Sequence, residues 1–300
     1  MIQGKQIVNL VLTVLEIVAP VFLLAAIGFG WVKLGHEYRI NFVTKLAMTL
    51  GTPALIFTAL MDTEIEPSAL TAISVAALAA YVAVAAVFFI LLKLRGASVR
   101  SFLAPLTFGN TGNLGLPLAL FAFGDVGLDY AVVVFAVMAV LSFTVGLWLV
   151  SGGGSPIGVL KDPILIGTLA GTLFLVMGWQ TPTFLTNTLD LIAQLAIPLM
   201  LLTLGVAVAR LRPSGLIRAF GYSLLKIGFG AVIAWSIGKA FGLEPTALAV
   251  LTVQLSTPVA VANYLLVEKY DTNPNEVAGP VVVSTLVAVV TLPLTLAFFV

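Results

Sequence analysis

The 300-residue chain contains no cysteine, so disulfides, thiolate nucleophiles and thiolate-held metals are all excluded. Charge is nearly as scarce: Asp, Glu, Lys and Arg together make up 9% of the residues and leave a formal net charge of +1. That balance offers no basic face to nucleic acid. The single histidine, His36, stands in a polar loop between Gly35 and Arg39 and reads as solvated. Paired histidines, phosphate-cradling loops, clustered carboxylates within apolar runs and a nucleophile beside a base are all missing. No enzyme, cofactor or metal site is therefore expected.

What is present is apolar surface. Hydrophobic residues make up 60% of the chain, more than a water-soluble domain can carry without exposing large greasy patches. The apolar runs are about 20 residues long, the length of a spanning helix rather than the ten-residue alternation of a membrane barrel. Hydropathy, turns and charges place ten helices at about 10–32, 41–60, 68–93, 102–123, 128–150, 157–178, 184–208, 216–240, 246–267 and 276–299. The expected fold class is an all-α polytopic membrane protein. Lys5 ahead of an apolar run and Ala25-Ala26 also permit a signal-peptide reading, but Glu16 interrupts that run.

Ser151-Gly152-Gly153-Gly154-Ser155-Pro156 is the one flexible linker, and it falls at the middle. The halves on either side, 1–150 with helices 1–5 and 151–300 with helices 6–10, match at an offset of 145 residues. Val14-Leu15 meets Val159-Leu160, and Leu46, Leu50, Pro53 and Thr58 meet Leu191, Leu195, Pro198 and Thr203. Leu103, Ala104, Leu106 and Thr107 meet Leu248, Ala249, Leu251 and Thr252, and one residue further on Pro67-Ser68 meets Pro213-Ser214. Five spans per half make the repeat an inverted one. Lys33, Arg39, Lys45, Lys93, Arg95, Arg100, Lys161, Arg210, Arg212, Arg218 and Lys269 fall on one side. By the positive-inside rule that side is cytoplasmic and both termini are extracytoplasmic. Asp62, Glu64, Glu66, Asp125, Asp129 and Asp190 fall on the other side.

Two segments are broken near their centres. The fourth carries Phe108-Gly109-Asn110-Thr111-Gly112-Asn113-Leu114-Gly115-Leu116-Pro117, and the ninth Gln254-Leu255-Ser256-Thr257-Pro258 with Asn263 one turn on. In lipid every freed backbone group needs a new partner, so matching breaks mark a binding site at the midplane. Second half-helices begin with unpaired amides and partial positive charge, which attract anions. Asn110, Thr111, Gly112, Asn113 and Pro117 from the first break, with Ser256, Thr257, Pro258 and Asn263 from the second, are the candidate substrate-binding residues. The alternative is that Gly, Pro and Asn only kink helices for packing. Lys226 lies ten residues into the eighth helix, too deep to reach water easily; it either snorkels or faces a cavity as a substrate or coupling contact. Pro53 and Pro198, inside spans, serve as hinges or packing notches. Glu16 reads as interfacial.

These residues resemble the auxin efflux carrier family, the PIN-like membrane transport proteins. The signature is Gly109 to Leu118, supported by Pro53-Ala54-Leu55-Ile56-Phe57 and by Pro258 followed by Glu268-Lys269-Tyr270. The resemblance implies a ten-helix, bile-acid-symporter-like fold in which helices 4 and 9 cross. It further implies an elevator-like transport domain of helices 3–5 and 8–10 sliding against a dimerising scaffold of helices 1, 2, 6 and 7. Asn110 and Pro117 fall on the first crossover and Pro258 on the second. Plant members carry an Asp and a Lys in the third helix, where residues 68 to 92 here hold no ionisable group but Tyr81. Asn263 stands where they tend to have another proline, and their long central loop shrinks to Ser151–Pro156.

The expectation is a homodimeric secondary transporter in the cell membrane, an efflux carrier of a small organic anion such as a dicarboxylate or an auxin-like acid. An ion-coupled symporter of organic anions is the alternative, and a membrane receptor that binds a small acid without moving it is a second.

Overall fold

The computed structural model describes residues 2–152, 162–211, 215–270 and 272–299. Most of the linker Ser151–Pro156 and the positions of Lys161, Arg212, Pro213 and Ser214 lie outside the described residues, as do the side chains of Lys5, Glu268 and Lys269. Helices account for nearly all of the rest: α1 Ile2–Lys33, α2 Ile40–Leu46, α3 Thr52–Asp62, α4 Pro67–Leu94, α5 Val99–Thr107, α6 Leu116–Leu141 and α7 Leu147–Ser151. There follow α8 Pro163–Met177, α9 Thr183–Ala193, α10 Ala196–Arg210, α11 Leu216–Ala240, α12 Pro245–Leu255, α13 Val261–Lys269 and α14 Pro274–Ala297. Among the described residues seven helical stretches are long and apolar enough to cross a membrane, and Pro163–Met177 and Pro245–Leu255 are shorter apolar helices.

The breaks explain the difference from a plain succession of spans. The stretch at 41–60 is α2 and α3 joined by a π-turn, Ala47–Gly51. Pro53, whose missing N–H would interrupt a continuous helix, sits instead at the first turn of α3, where that donor is not needed. Pro198 likewise follows the turn at Gln194–Leu195. The fourth and fifth stretches run together as helix from Thr111 to Ser151, 41 residues. They turn a corner at Gly124, whose φ of 65° and ψ of −156° only glycine adopts freely.

Close helix pairs use small residues, as lipid-embedded packing requires. Gly28 and Gly205 let α1 and α10 bring their backbones together at Leu202 and Ala25. Gly167 and Gly171 of α8 form the notch that receives Pro53 and Phe57 of α3. On the other flank α11 lies against α12 and α14, and α4 against α5 and α6. Tyr81, Phe88, Leu106, Leu114, Leu116 and Leu118 are fully buried there, around the two interrupted segments.

The bundle has a charged end of each sign. Arg100 donates to the Val150 carbonyl and Arg210 to the Tyr38 carbonyl, and Arg218 pairs with Glu276 at 3.2 Å, all at the end where α4 and α10 finish. Asp62, Glu64, Glu66, Asp125, Asp129, Asp190 and Glu244 gather at the opposite end.

Candidate functional site

Both interrupted segments are broken where expected, and the breaks cross. After α5 the chain runs extended through Phe108 to Asn110; after α12 it runs extended through Pro258 to Ala260. Gly109 and Val259 pair as an antiparallel bridge, the single β-type pairing among the described residues. The Asn110 amide donates to the Pro258 carbonyl at 2.7 Å.

The freed backbone groups are accounted for one by one, as burial demands. Ser256 returns its amide and hydroxyl to the Thr252 carbonyl, and Thr257 returns both to Gln254. The Leu255 carbonyl takes Lys226 Nζ at 3.4 Å. On the other strand the Phe108 carbonyl accepts from Asn263 Nδ2 at 2.8 Å, and the Val259 amide donates to Ser284 Oγ at 2.9 Å. The helix-start amides of Thr111, Gly112 and Asn113 receive no acceptor from outside their helix. Nor do those of Val261 and Ala262.

Those two helix starts face a cavity of about 290 Å³ lined by Gly109, Asn110, Gly112, Asn113, Ala262 and Asn263. Its walls are apolar, from Met48, Phe135, Met138, Phe143, Ile164 and Leu266 among others, and among the described residues no charged side chain lines it. Ser142, Phe143, Ile164 and Leu266 lie on the basic-end halves of their helices, so the cavity sits toward that end. Asn110 is buried, and its Nδ2 has no protein partner. Such a donor is expensive to leave unmade.

The candidate residues therefore divide. Asn110, Gly112, Asn113 and Asn263 line the cavity. Thr111, Pro117, Ser256, Thr257 and Pro258 are buried but do not line it. Ser256 and Thr257 cap α12, Pro258 offers its carbonyl to the crossing strand, and Pro117 sets the first turn of α6. The hydroxyl of Thr111 has no partner. Lys226, one of the two candidate readings of which was a snorkelling lysine, is only 1% exposed and reaches the crossover.

Three contributors were not among the candidates. Ser284 holds the Val259 amide; a serine beside Thr285 in the apolar run of α14 is the signal that could have found it. Gln254 is fully buried, donates to the Ala131 carbonyl at 3.4 Å, and fills the space a Gly115 side chain would need. Tyr81 packs on Phe108 with ring centroids 6.0 Å apart and a hydroxyl that has no partner.

At the acidic end a wider cleft of about 820 Å³ separates α3 and α9 from α4, α6 and α12. Seven carboxylates line it, from Asp62, Glu64, Glu66, Asp125, Asp129, Asp190 and Glu244, with no Lys or Arg among its lining residues. Tyr130 donates to Glu244 at 3.2 Å across one wall.

Two helices broken at midspan thus start beside one apolar cavity, the arrangement in which carriers place their binding sites. The chain belongs to the membrane transport protein family, whose model matches residues 13–159 and 152–296. This is the family of the auxin efflux, PIN-like carriers that the signature at Gly109 resembles. A protein of Rhizobium meliloti named "Putative malonate transporter" is 26% identical, with 92% of each chain covered. An uncharacterized transporter of Methanothermobacter thermautotrophicus is 25% identical over 93% of this chain and 96% of its own. Another, of Methanocaldococcus jannaschii, is 25% identical over 64% of this chain and 66% of its own. The protein is a multi-pass membrane transporter by family.

Proposed function

We propose that this protein is a secondary transporter that exports a small organic anion, held at the crossing of the fourth and ninth spans. One observation carries the proposal: two sets of helix-start amides without a partner among the described residues, and the carboxamides of Asn110, Asn113 and Asn263, lie at one cavity that no described charged side chain lines. Partial positive charge at two helix ends suits the carboxylates of a compact diacid. A volume of about 290 Å³ lies at the small end of ligand pockets, which start at roughly 300 Å³. The relative named for malonate favours that class.

The wider architecture follows the same proposal. Ten spans form two inverted repeats of five; the reciprocal pairing of α1 with α10 and of α3 with α8 is what such a symmetry produces. These scaffold helices dimerise, and the block of α4–α7 with α11–α14 slides past them like an elevator. The basic end is cytoplasmic and both termini are outside. Export is supported by the asymmetry of the ends, since an anion released into a cleft of seven carboxylates is repelled from returning. An inside-negative potential adds about 2.3 kcal/mol per exported charge at 100 mV.

Purified protein in liposomes loaded with labelled malonate tests this. Valinomycin-set negative interior potential should accelerate loss of label, and unlabelled malonate should compete while chloride does not. Equal leakage from protein-free liposomes would end the proposal.

A further inference from the structure

Lys226 is buried beside the cavity but outside its lining. It comes from α11, where Gly230, one turn on, lets the helix approach so closely that the Leu255 carbonyl occupies the space of a missing Cβ. That carbonyl ends α12, at the negative end of a helix dipole, and Lys226 Nζ donates to it. Gly109 marks the other side of the same spot. A Cβ there would lie 3.1 Å from Lys226 Nζ and 3.2 Å from the Thr257 carbonyl, and would collide with Thr257 Oγ1.

Among the described residues no carboxylate pairs with this ammonium. The two described ion pairs are Arg39 with Glu37 and Arg218 with Glu276. The helices packed against α11 bring few titratable or charged groups among the described residues. In its central turns α4 offers only Tyr81; α5 offers Arg100 at its start, and α12 offers none. From α14 comes Glu276, already paired, and α11 itself adds Arg218, Tyr222 and Lys239. The hydrogen-bond partner of Lys226 is therefore a carbonyl oxygen at the end of a broken helix, and half-helix carbonyl ends are the kind of site that in coupled carriers takes a sodium ion or proton.

Resting on the transport reading above, we infer that Lys226 is the carrier's tethered cation: its ammonium takes the place at the α12 carbonyl end that an alkali ion would otherwise fill. Two consequences follow. Anion binding needs no sodium, and shortening the side chain opens a site for a small monovalent cation. The carbonyl at the helix end and the incoming anion both offset the cost of burying that ammonium.

The experiment compares thermal midpoints of the purified, substrate-free protein in sodium chloride and in choline chloride at equal ionic strength. Any ion that binds only the folded protein raises the midpoint, whatever the baseline stability of the variant. Wild type should show no sodium-dependent shift. Lys226→Ala, which leaves oxygens and space, should be raised by sodium, and Lys226→Met, which fills the space, should not. In choline both variants should bind malonate at least tenfold more weakly than wild type, and sodium should restore binding only to Lys226→Ala. A sodium-dependent midpoint in wild type, or indifference of Lys226→Ala to sodium, overturns the inference. If Lys226→Ala does not fold, sodium dependence of malonate binding to wild type decides, its presence against and its absence in favour. Failure of the transport reading looks different: malonate then binds none of these proteins, while the midpoint comparison still gives its answer.

Discussion

Replacing Asn110 and Asn263 separately by alanine distinguishes a ligand-facing amide from one committed to the fold. Asn110 Nδ2 is buried without a protein partner, so removing it leaves nothing in the empty protein unsatisfied. Asn263 Nδ2 supplies the Phe108 carbonyl at 2.8 Å, and its loss strands that carbonyl at the crossing. A hydrogen bond to a charged acceptor is worth about 1.5–3 kcal/mol net, and an orphaned buried group costs about 1–3 kcal/mol. At 1.4 kcal/mol per decade, Asn110→Ala should weaken malonate binding by roughly ten- to 150-fold. The empty protein's unfolding midpoint in a thermal or denaturant melt should stay where it is or rise. Asn263→Ala should lower that midpoint in the absence of any anion, by about 1–3 kcal/mol in stability, and weaken binding as well. Isothermal titration beside the melts reads both quantities. Wild-type affinity in Asn110→Ala would refute the placement of the anion at the crossover, because no other side-chain donor lining the cavity is buried with nothing to bond.

Two further outcomes are expected. The absence of native cysteine allows single-cysteine labelling: with an impermeant maleimide on intact cells, a cysteine at Glu64 should label and one at His36 should not, and the reverse would invert the assigned orientation. Neutralising the wide cleft with Asp125→Asn, Asp129→Asn and Asp190→Asn together should lower KM for anion entering from the acidic end, most at low salt. It should leave KM from the basic end unchanged; equal change on both sides would remove the cleft's part in favouring export.

Much of this was legible in the sequence because membranes leave few options. An apolar chain in lipid must be helical, so a run such as Phe108 to Pro117, with three glycines, two asparagines and a proline, announces a deliberate break. The positions of both breaks and the cavity-lining Asn110, Asn113 and Asn263 followed from that rule. Side-chain direction did not. Ser256 and Thr257 carry the right chemistry for a ligand, but a hydroxyl just past a helix end finds the free carbonyls of its own last turn first, and there they bond. Gln254 and Ser284 act across more than 20 residues of sequence, through packing that no local pattern encodes. Lys226 was visible as a deep charge, yet its partner was not: Leu255 lies 29 residues on and contributes only a backbone oxygen, which any residue type would supply.

The distribution of charge around the cavity bears on why a carrier would avoid placing a cation in its lining. A carrier must let its substrate go, and binding has to be strong enough to admit the anion yet weak enough to release it. An arginine fork inside the cavity would form bidentate, charge-assisted bonds that hold a carboxylate tightly in every conformation. Amide ends worth about half an elementary charge each act only within the first turn of their helices. A shift of the cavity relative to Met48 and Ile164, the lining residues from outside the α4–α7 and α11–α14 block, alters the anion's surroundings without altering those ends. In the proposed elevator motion Lys226, held behind Gly109 by the Leu255 carbonyl, would travel with the crossover, because both its helix and its partner belong to that block. On that proposal the positive field that loads the site would be carried along with it, and release would be left to whatever the cavity faces on arrival: at the acidic end, carboxylates that oppose the anion's return.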